Sequence, residues 1–332
     1  MTLRSIAARA ANPRARAARA ARAAMTAVGA VALLAFAYHW KSYPVYLLTQ
    51  VLLCGMAIMG LNLLIGYTGQ VSVGHGAFFA LGAYSVAVLT TAWGWPYFAA
   101  LPAAPLVCLA AGWLFGYPAL RLPMLYLALS TFAVAVVTPQ TLKWKGIEWL
   151  TGGVQGIVLR KPQFPGLAAG KTEWGVLAVT TVLALGLLWA MRRIVRSPYG
   201  RLIDASRDHA PAAEACAVDV TSLKTQMFGL SAAATGLAGG LGAMSSRFVA
   251  PESYTLFLSI SLLVGSLVGG TRGLWGAFAG GAFIVLVPNL GEAVAPSAPG
   301  AVFGAALILV VFLGPSFTRW RRRWLAPAAQ SR

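Results

Sequence analysis

Charge is scarce in this sequence, and negative charge is scarcest of all. Asp, Glu, Lys and Arg make up 10% of the 332 residues, and only eight residues are acidic. A soluble domain carries about 25% charged residues. This chain lacks the polar groups to cover a globule, so lipid must be its solvent. Hydrophobic residues account for 58%, and the mean hydropathy is +0.72. None of the eight acids falls in the middle of an apolar run. Carriers driven by proton or sodium gradients place ionisable groups at membrane depth, because those groups perform the coupling. Around the first broken apolar segment, strong polar chemistry is offered by Gln50, Asn62, Gln70 and His75. His75 reads as a satisfied structural histidine near a helix break, with a proton site as the alternative. Energy for any uphill transport would then come from outside the chain.

Other absences narrow the function further. Cys54 and Cys108 lie in apolar stretches and Cys216 in a polar loop, a spacing that supports neither a disulfide framework nor a metal site. The run Gly166-Leu-Ala-Ala-Gly170-Lys171-Thr172 looks like a phosphate loop, but its glycines stand one residue too close and Pro165 occupies the required position. No Ser/His/Asp or paired-carboxylate constellation can be assembled. The chain reads as a non-enzyme that binds no cofactor of its own.

What is present is basic and apolar. The formal charge is +18. The basic residues form no stripe on a soluble domain, so a nucleic-acid partner is not expected. They gather instead at both ends and in a few interhelical segments, as the positive-inside rule places them. Residues 1–24 carry Arg4, Arg9, Arg14, Arg16, Arg19 and Arg22 with no acid. They read as a basic cytoplasmic tail, with a transit peptide as the alternative. Residues 318–332 form a second basic cytoplasmic tail. Apolar segments lie near 25–40, 43–66, 71–92, 97–116, 121–140, 174–191, 225–247, 255–290 and 299–315. The stretch 255–290 is too long for one span. Gly269, Gly270 and Gly273, around Arg272, break it into two short helices or a re-entrant pair. The expected fold is all-α: a polytopic membrane protein of about 8–10 transmembrane helices with Gly-broken segments. The transmembrane domain would cover 25–317, with 141–173 as an external loop and 192–224 on the cytoplasmic face. Lys143, Lys145, Arg160, Lys161 and Lys171 in that external loop depart mildly from the rule. Trp and Tyr near the segment ends read as aromatic belts.

The internal loop, 192–224, is a polar island. It holds four of the eight acids: Asp204, Asp208, Glu214 and Asp219. A chain that concentrates its carboxylates so strongly is presenting that loop to a partner. Ala205–Val218 is expected to be helical, with Ser206 or Asp208 as cap and Pro211 in a first turn.

Two apolar segments are interrupted alike. In one, Leu63-Leu64-Ile65-Gly66 is followed after seven residues by Gly74, then Gly76-Ala77-Phe78. In the other, Leu262-Leu263-Val264-Gly265 is followed after seven residues by Gly273, then Gly276-Ala277-Phe278. Matched interruptions in two halves point to a transporter's central site. Candidate pathway residues are Asn62, Gly66, Gly69, Gln70, Ser72, Gly74, His75, Gly76, Gly265, Gly269, Gly270 and Gly273. Helix packing is the alternative, because Gly112/Gly116, Gly236/Gly240, Gly265/Gly269 and Gly276/Gly280 have the four-residue spacing of close helix contacts.

These stretches resemble a known family. LNLLIGYTGQVSVGHGAFFALGAY (61–84), LTGGVQGI (150–157), SPYGRLIDASRDHAPAAEACAVDVTSLK (197–224) and LLVGSLVGGTRGLWGAFAGGAF (262–283) are similar to the branched-chain amino acid ABC-importer permeases, LivM-type subunit. The likeness runs from about 43 to 315. It implies a bacterial inner-membrane, multi-pass protein with both termini cytoplasmic. It implies as partners a second, LivH-type permease subunit, two cytoplasmic ATPase subunits that hold ATP and Mg, and a periplasmic solute-binding protein. It also implies that a short helix of the island docks in an ATPase cleft, with Arg201, Asp204, Arg207, Asp208, Ala212, Ala213, Glu214 and Asp219 as candidate coupling residues. The family usually has a Glu shortly before the paired alanines and a Gly a few residues after them. Here Ala210 and Pro211 precede Ala212-Ala213, and Ala217 stands where Gly is usual. The implied solute is a branched-chain or other hydrophobic amino acid. An ion-gradient carrier or passive channel for a small polar solute is the alternative.

Overall fold

The computed structural model describes residues 31–119 except 36, 124–164, 171–294, and 300–309 except 302. The two basic tails and Gly166–Gly170 of the phosphate-loop look-alike lie outside the described residues, as do the outer ends of the first and last apolar segments. In lipid no water satisfies the backbone, so apolar runs must close their own hydrogen bonds as helices. The chain follows that rule. Helix α1 (Ser42–Asn62) continues into a π-helical turn, Leu63–Thr68. Then come α2 (His75–Thr91), α3 (Ala103–Ala119), α4 (Met124–Leu142) and α5 (Thr172–Arg196). After these follow α6 (Pro198–Asp208), α7 (Ala210–Ala215), α8 (Val220–Ser246), α9 (Leu256–Gly269) and α10 (Gly276–Val294). Six described helical stretches are long and apolar enough to cross a membrane, and two shorter apolar helices, His75–Thr91 and Gly276–Glu292, join them. A single antiparallel ladder pairs β1 (Ile157–Val158) with β2 (Phe248–Val249) among the described residues.

Helix α8 is the hub. Its most apolar window is 83% buried, against 22% for the α4 span. Small residues along α8 let neighbouring backbones close in. A methyl built on Gly239 would stand 2.0 Å from the Phe79 carbonyl oxygen of α2, and one on Gly236 2.3 Å from Cys108 Sγ of α3. Gly60 of α1 would meet the Ser231 carbonyl oxygen at 2.7 Å.

The 255–290 stretch resolves into two helices, α9 and α10, rather than one span. Their glycines face each other: a methyl on Gly280 would lie 2.1 Å from Gly265 O, and one on Gly276 1.8 Å from Gly269 O. The 71–92 segment begins its helix only at His75, leaving 69–74 unwound. Helix α2 has 17 residues. It is about 25 Å long, short of a ~30 Å hydrocarbon core.

The island forms two helices, not one over Ala205–Val218. The backbone turns at His209 (φ −150°, ψ 85°). Pro211 has no N–H to bond the Arg207 carbonyl, and its ring would collide with it in a continuous helix. The caps also differ from expectation. Ser197 Oγ accepts from the Gly200 N–H at 3.3 Å and Pro198 occupies the first turn of α6. Ser206 is buried and donates to Ile203 O at 2.8 Å, and Asp208 closes α6. Pro211 does sit in the first turn of α7.

The segment expected as a loop, 141–173, is described between α4 and α5 over 143–164 and at Lys171. It leads to α5 and the island follows α5, so 25 helical residues, about 37 Å of helix, separate them. The loop end is closed by ion pairs Lys143–Glu252 and Arg247–Glu173 and by the β1/β2 ladder. In LTGGVQGI, Gly152, Gly153 and Gly156 have φ of 71°, 55° and 72°, and Gly156 packs against the β2 backbone.

Candidate translocation and coupling site

The end of α1 exposes backbone that a regular helix would satisfy. The N–H of Gln70 would close an α-helical bond to Gly66. Instead it reaches back to Leu64 O at 3.2 Å, beside the N–H of Gly69. Gly69 makes this turn at φ +75°, which glycine adopts without a steric penalty. The Gly66 carbonyl is left facing outward at a helix C-terminus, where partial negative charge collects. Two guanidiniums occupy it. Arg272 Nε donates to it at 3.2 Å, and Arg207 Nη1 donates from α6. Arg272 Nη2 is 3.7 Å from Asp204 Oδ1, an oxygen otherwise enclosed without a hydrogen-bond donor. Tyr67 OH donates to the Arg272 carbonyl at 2.8 Å. A methyl on Gly66 would stand 2.0 Å from Thr271 O. The first broken segment, the second broken segment and the island therefore meet at one carbonyl.

Asn62 makes a second joint one turn earlier. It is fully buried. Its Oδ1 accepts from Ser266 of α9, and its Nδ2 donates to the carbonyls of Gly270 and Gly273 at 3.3 and 3.5 Å. One amide thus adds a donor to each of two carbonyls in the other break, beside the Gly273 N–H on Gly270 O and the Ala277 N–H on Gly273 O, so the irregular backbone there is satisfied within the protein.

The end of the 69–74 stretch and the start of α2 are stitched by hydroxyls from three helices. Val73 N–H donates to Thr131 Oγ1 of α4 at 3.0 Å, and Gly76 N–H to Ser259 Oγ of α9 at 3.0 Å. His75 Nε2 lies 2.7 Å from Ser231 Oγ of α8, and Ser231 Oγ donates to Gly60 O at 2.6 Å. Because the Ser231 proton is committed, the network assigns the His75 proton to Nε2. Nδ1 then accepts from Ser72 Oγ at 3.0 Å. Both ring nitrogens are occupied, which fits the structural reading of His75 rather than a proton site. Gln70 is the contrast: its side chain is buried and neither amide atom has a partner.

Most of the candidate pathway residues come together here. Asn62, Gly66, Gly69, Gln70, Ser72, Gly74, His75 and Gly76 line one break, with Gly270 and Gly273 across from it. Gly265 and Gly269 belong to the α9/α10 contact instead. The island residues divide by face. Helix α6 turns Gly200, Ile203, Asp204 and Arg207 toward the bundle, with Gly200 and Ile203 buried. Ala213 of α7 is also buried. Arg201, Asp208, Ala212 and Glu214 are exposed. Asp219 caps α8, accepting from Ser222 N–H at 2.9 Å. Sequence reasoning missed Thr131, Ser231, Ser259 and Ser266, and gave Arg272 no role. An arginine in an otherwise apolar run was the one signal available, since such a charge needs a partner.

Comparison with known proteins places this arrangement. A model of the branched-chain amino acid transport system permease component family matches residues 43–311. The chain belongs to this family. Both broken segments and the island fall inside the match. Among curated permease relatives, LivM of the high-affinity branched-chain amino acid transport system of Salmonella typhimurium is 32% identical over 266 residues, 72% of this chain and 62% of that protein. LivM of Escherichia coli is 32% identical over 235 residues, 64% of this chain and 55% of that protein. A probable LivH permease protein of Methanocaldococcus jannaschii is 31% identical over 145 residues, 42% of this chain and 45% of that protein. The chain thus spans about six-tenths of the length of the LivM relatives. No solved structure matches the chain.

Proposed function

We propose that this chain is the membrane-spanning permease subunit of an ATP-driven importer, and that its solute is a branched-chain or other hydrophobic amino acid. The observation that carries the reading is the joint at Gly66. A charged island with one exposed face is tied by its other face to the two broken segments. A device that moves the island would move the pathway. The energy source is a pair of cytoplasmic ATPase subunits, which hold ATP and Mg; this chain performs no hydrolysis. A LivH-type second permease subunit completes the membrane pathway, and a periplasmic binding protein delivers the solute. The island and both termini face the cytoplasm of a bacterial inner membrane. Support comes from family membership, from the placement of loop and island at opposite ends of α5, and from the spent ring of His75, which favours an external energy source over an ion gradient.

The test is reconstitution of the full assembly in proteoliposomes, with radiolabelled leucine uptake read against ATP hydrolysis. Uptake is expected to require ATP inside the face that carries the island, and deletion of Asp208–Val218 to abolish it. ATP-driven uptake that survives the deletion overturns the coupling role. Gradient-driven uptake by the chain alone overturns the importer reading.

A further inference from the structure

We propose that Arg207 and Arg272 are positioning residues that form a latch on the Gly66 carbonyl, holding the island and both broken segments in one conformational state. The inference rests on the importer reading for its role in transport, but its physical content is independent of it. The two cations come from different elements, α6 and the 270–275 turn, and converge on one acceptor. Like charges so close repel each other. Asp204, 3.7 Å from Arg272, and the negative end of the π-helical turn offset that repulsion. Arg207 also covers Gly69: a methyl there would meet Arg207 Cγ at 3.2 Å. Arg272 is held from behind, since Tyr67 bonds its carbonyl.

The contact is made for release. Neither guanidinium is deeply enclosed: Arg207 is exposed on α6, and the Arg272 side chain is 57% exposed. A hydrogen bond from a charged group contributes about ten- to hundredfold to an equilibrium, enough to bias two states and little enough to break when α6 moves. The acceptor is a backbone carbonyl on a π-helical turn, a geometry found frequently at functional sites. A partner that grips Arg201, Asp208 and Glu214 on the exposed face must either carry the Gly66 turn with α6 or free it. Either way the unwound 69–74 stretch responds.

The experiment compares the parent chain with Arg207→Ala, Arg272→Ala and Arg207→Lys. Amide hydrogen exchange is followed over 63–74 in the purified full chain in nanodiscs. Uptake per ATP hydrolysed is measured in the reconstituted assembly. Each alanine variant is expected to raise exchange over 63–74 at least about tenfold and to lower uptake per ATP by a similar factor. Arg207→Lys, which keeps the charge and one donor, should fall between. Unchanged exchange in both alanine variants overturns the latch, whatever the transport data show. Raised exchange with unchanged uptake per ATP reduces it to a brace and overturns the positioning role. If the parent assembly shows no ATP-driven uptake, the importer reading fails, and exchange alone decides the latch.

Discussion

The two Gly-broken segments share a spacing and differ in what their glycines do. In 61–84 the break opens to the rest of the bundle. Gly66 meets Thr271 of the other break, Gly74 meets Thr131 of α4 and Gly76 meets Ser259 of α9. In 262–283 the break folds on itself. Gly265 and Gly269 of α9 lie against Gly280 and Gly276 of α10. The first break is an unwound stretch leading into α2, held at that junction by side chains from three helices. The second is a helical hairpin held by backbone contact, with a short turn whose own backbone bonds are supplemented by the Asn62 amide. Similar sequence patterns thus serve two ends: one frees polar backbone, the other removes side chains so that helices can touch.

The largest effect that would break the comparison is steric. Gly276→Ala puts a methyl 1.8 Å from a backbone oxygen, a clash that no side-chain rotation relieves. It should cost about 3 kcal/mol, read as a fall in thermal stability of the detergent-purified chain. Gly273→Ala, four residues from the nearest such contact's partner at Gly269 and with no atom closer than 3.6 Å, should change stability by less than about 0.5 kcal/mol. Equal losses at both positions would mean that the hairpin does not rest on glycine contact.

Next comes the joint between the breaks. Asn62→Ala strips donors from the Gly270 and Gly273 carbonyls and the acceptor from Ser266. Gly270 O keeps the Gly273 N–H and Gly273 O the Ala277 N–H, so the loss falls mainly on the buried Ser266 hydroxyl and should cost about 1.5 kcal/mol in the same thermal assay. Asn62→Asp keeps the acceptor but turns a carboxylate toward two carbonyl oxygens, so it should not rescue. Full stability in Asn62→Ala would show that the breaks stand independently.

A smaller change of opposite sign separates pathway from scaffold. The Gln70 amide is buried without partners, so Gln70→Leu removes an unsatisfied group. It should raise stability by about 1 kcal/mol while lowering ATP-driven uptake in proteoliposomes. Residues kept for function commonly show that trade. Raised stability with unchanged uptake would assign Gln70 to the scaffold.

The spans were legible because apolar run length is a direct consequence of bilayer thickness. The break at Gly269–Gly273 was legible because glycines around an arginine cannot continue a buried apolar helix comfortably. The centrality of α8 was not: an all-round apolar helix looks the same at the hub as at the rim until its neighbours are known. The Ala-rich run at 205–218 favoured one helix by propensity, and Pro211 was weighed only as a helix start, not as the cause of a break. Asn62 and His75 stood out as polar groups in oil. Their partners did not, because Ser266 and Ser231 lie 204 and 156 residues away in sequence and serine is unremarkable in an apolar helix.

The smallest effect concerns a third break, at the end of α7, where glycine is missing rather than present. Val218 N–H bonds Ala213 O at 3.2 Å and Ala217 N–H bonds Glu214 O at 2.9 Å. This pair of bonds is the Schellman ending, which places its penultimate residue in the left-handed region and favours glycine there. Ala217 has φ +60°. An L-residue with a Cβ pays about 1–2 kcal/mol for that conformation, whereas glycine instead loses about 0.4–1 kcal/mol of unfolded-state freedom. The difference predicts that Ala217→Gly stabilises the α7 ending by roughly 0.5 kcal/mol. It should appear as slower amide exchange at positions 217 and 218, with spans elsewhere unaffected. Ala217→Val, whose branched side chain tolerates the left-handed region worse still, should shift exchange the other way. If glycine speeds exchange instead, the backbone at 217 is set by contacts other than this ending, and glycine at a break would not mark conformational need in this chain.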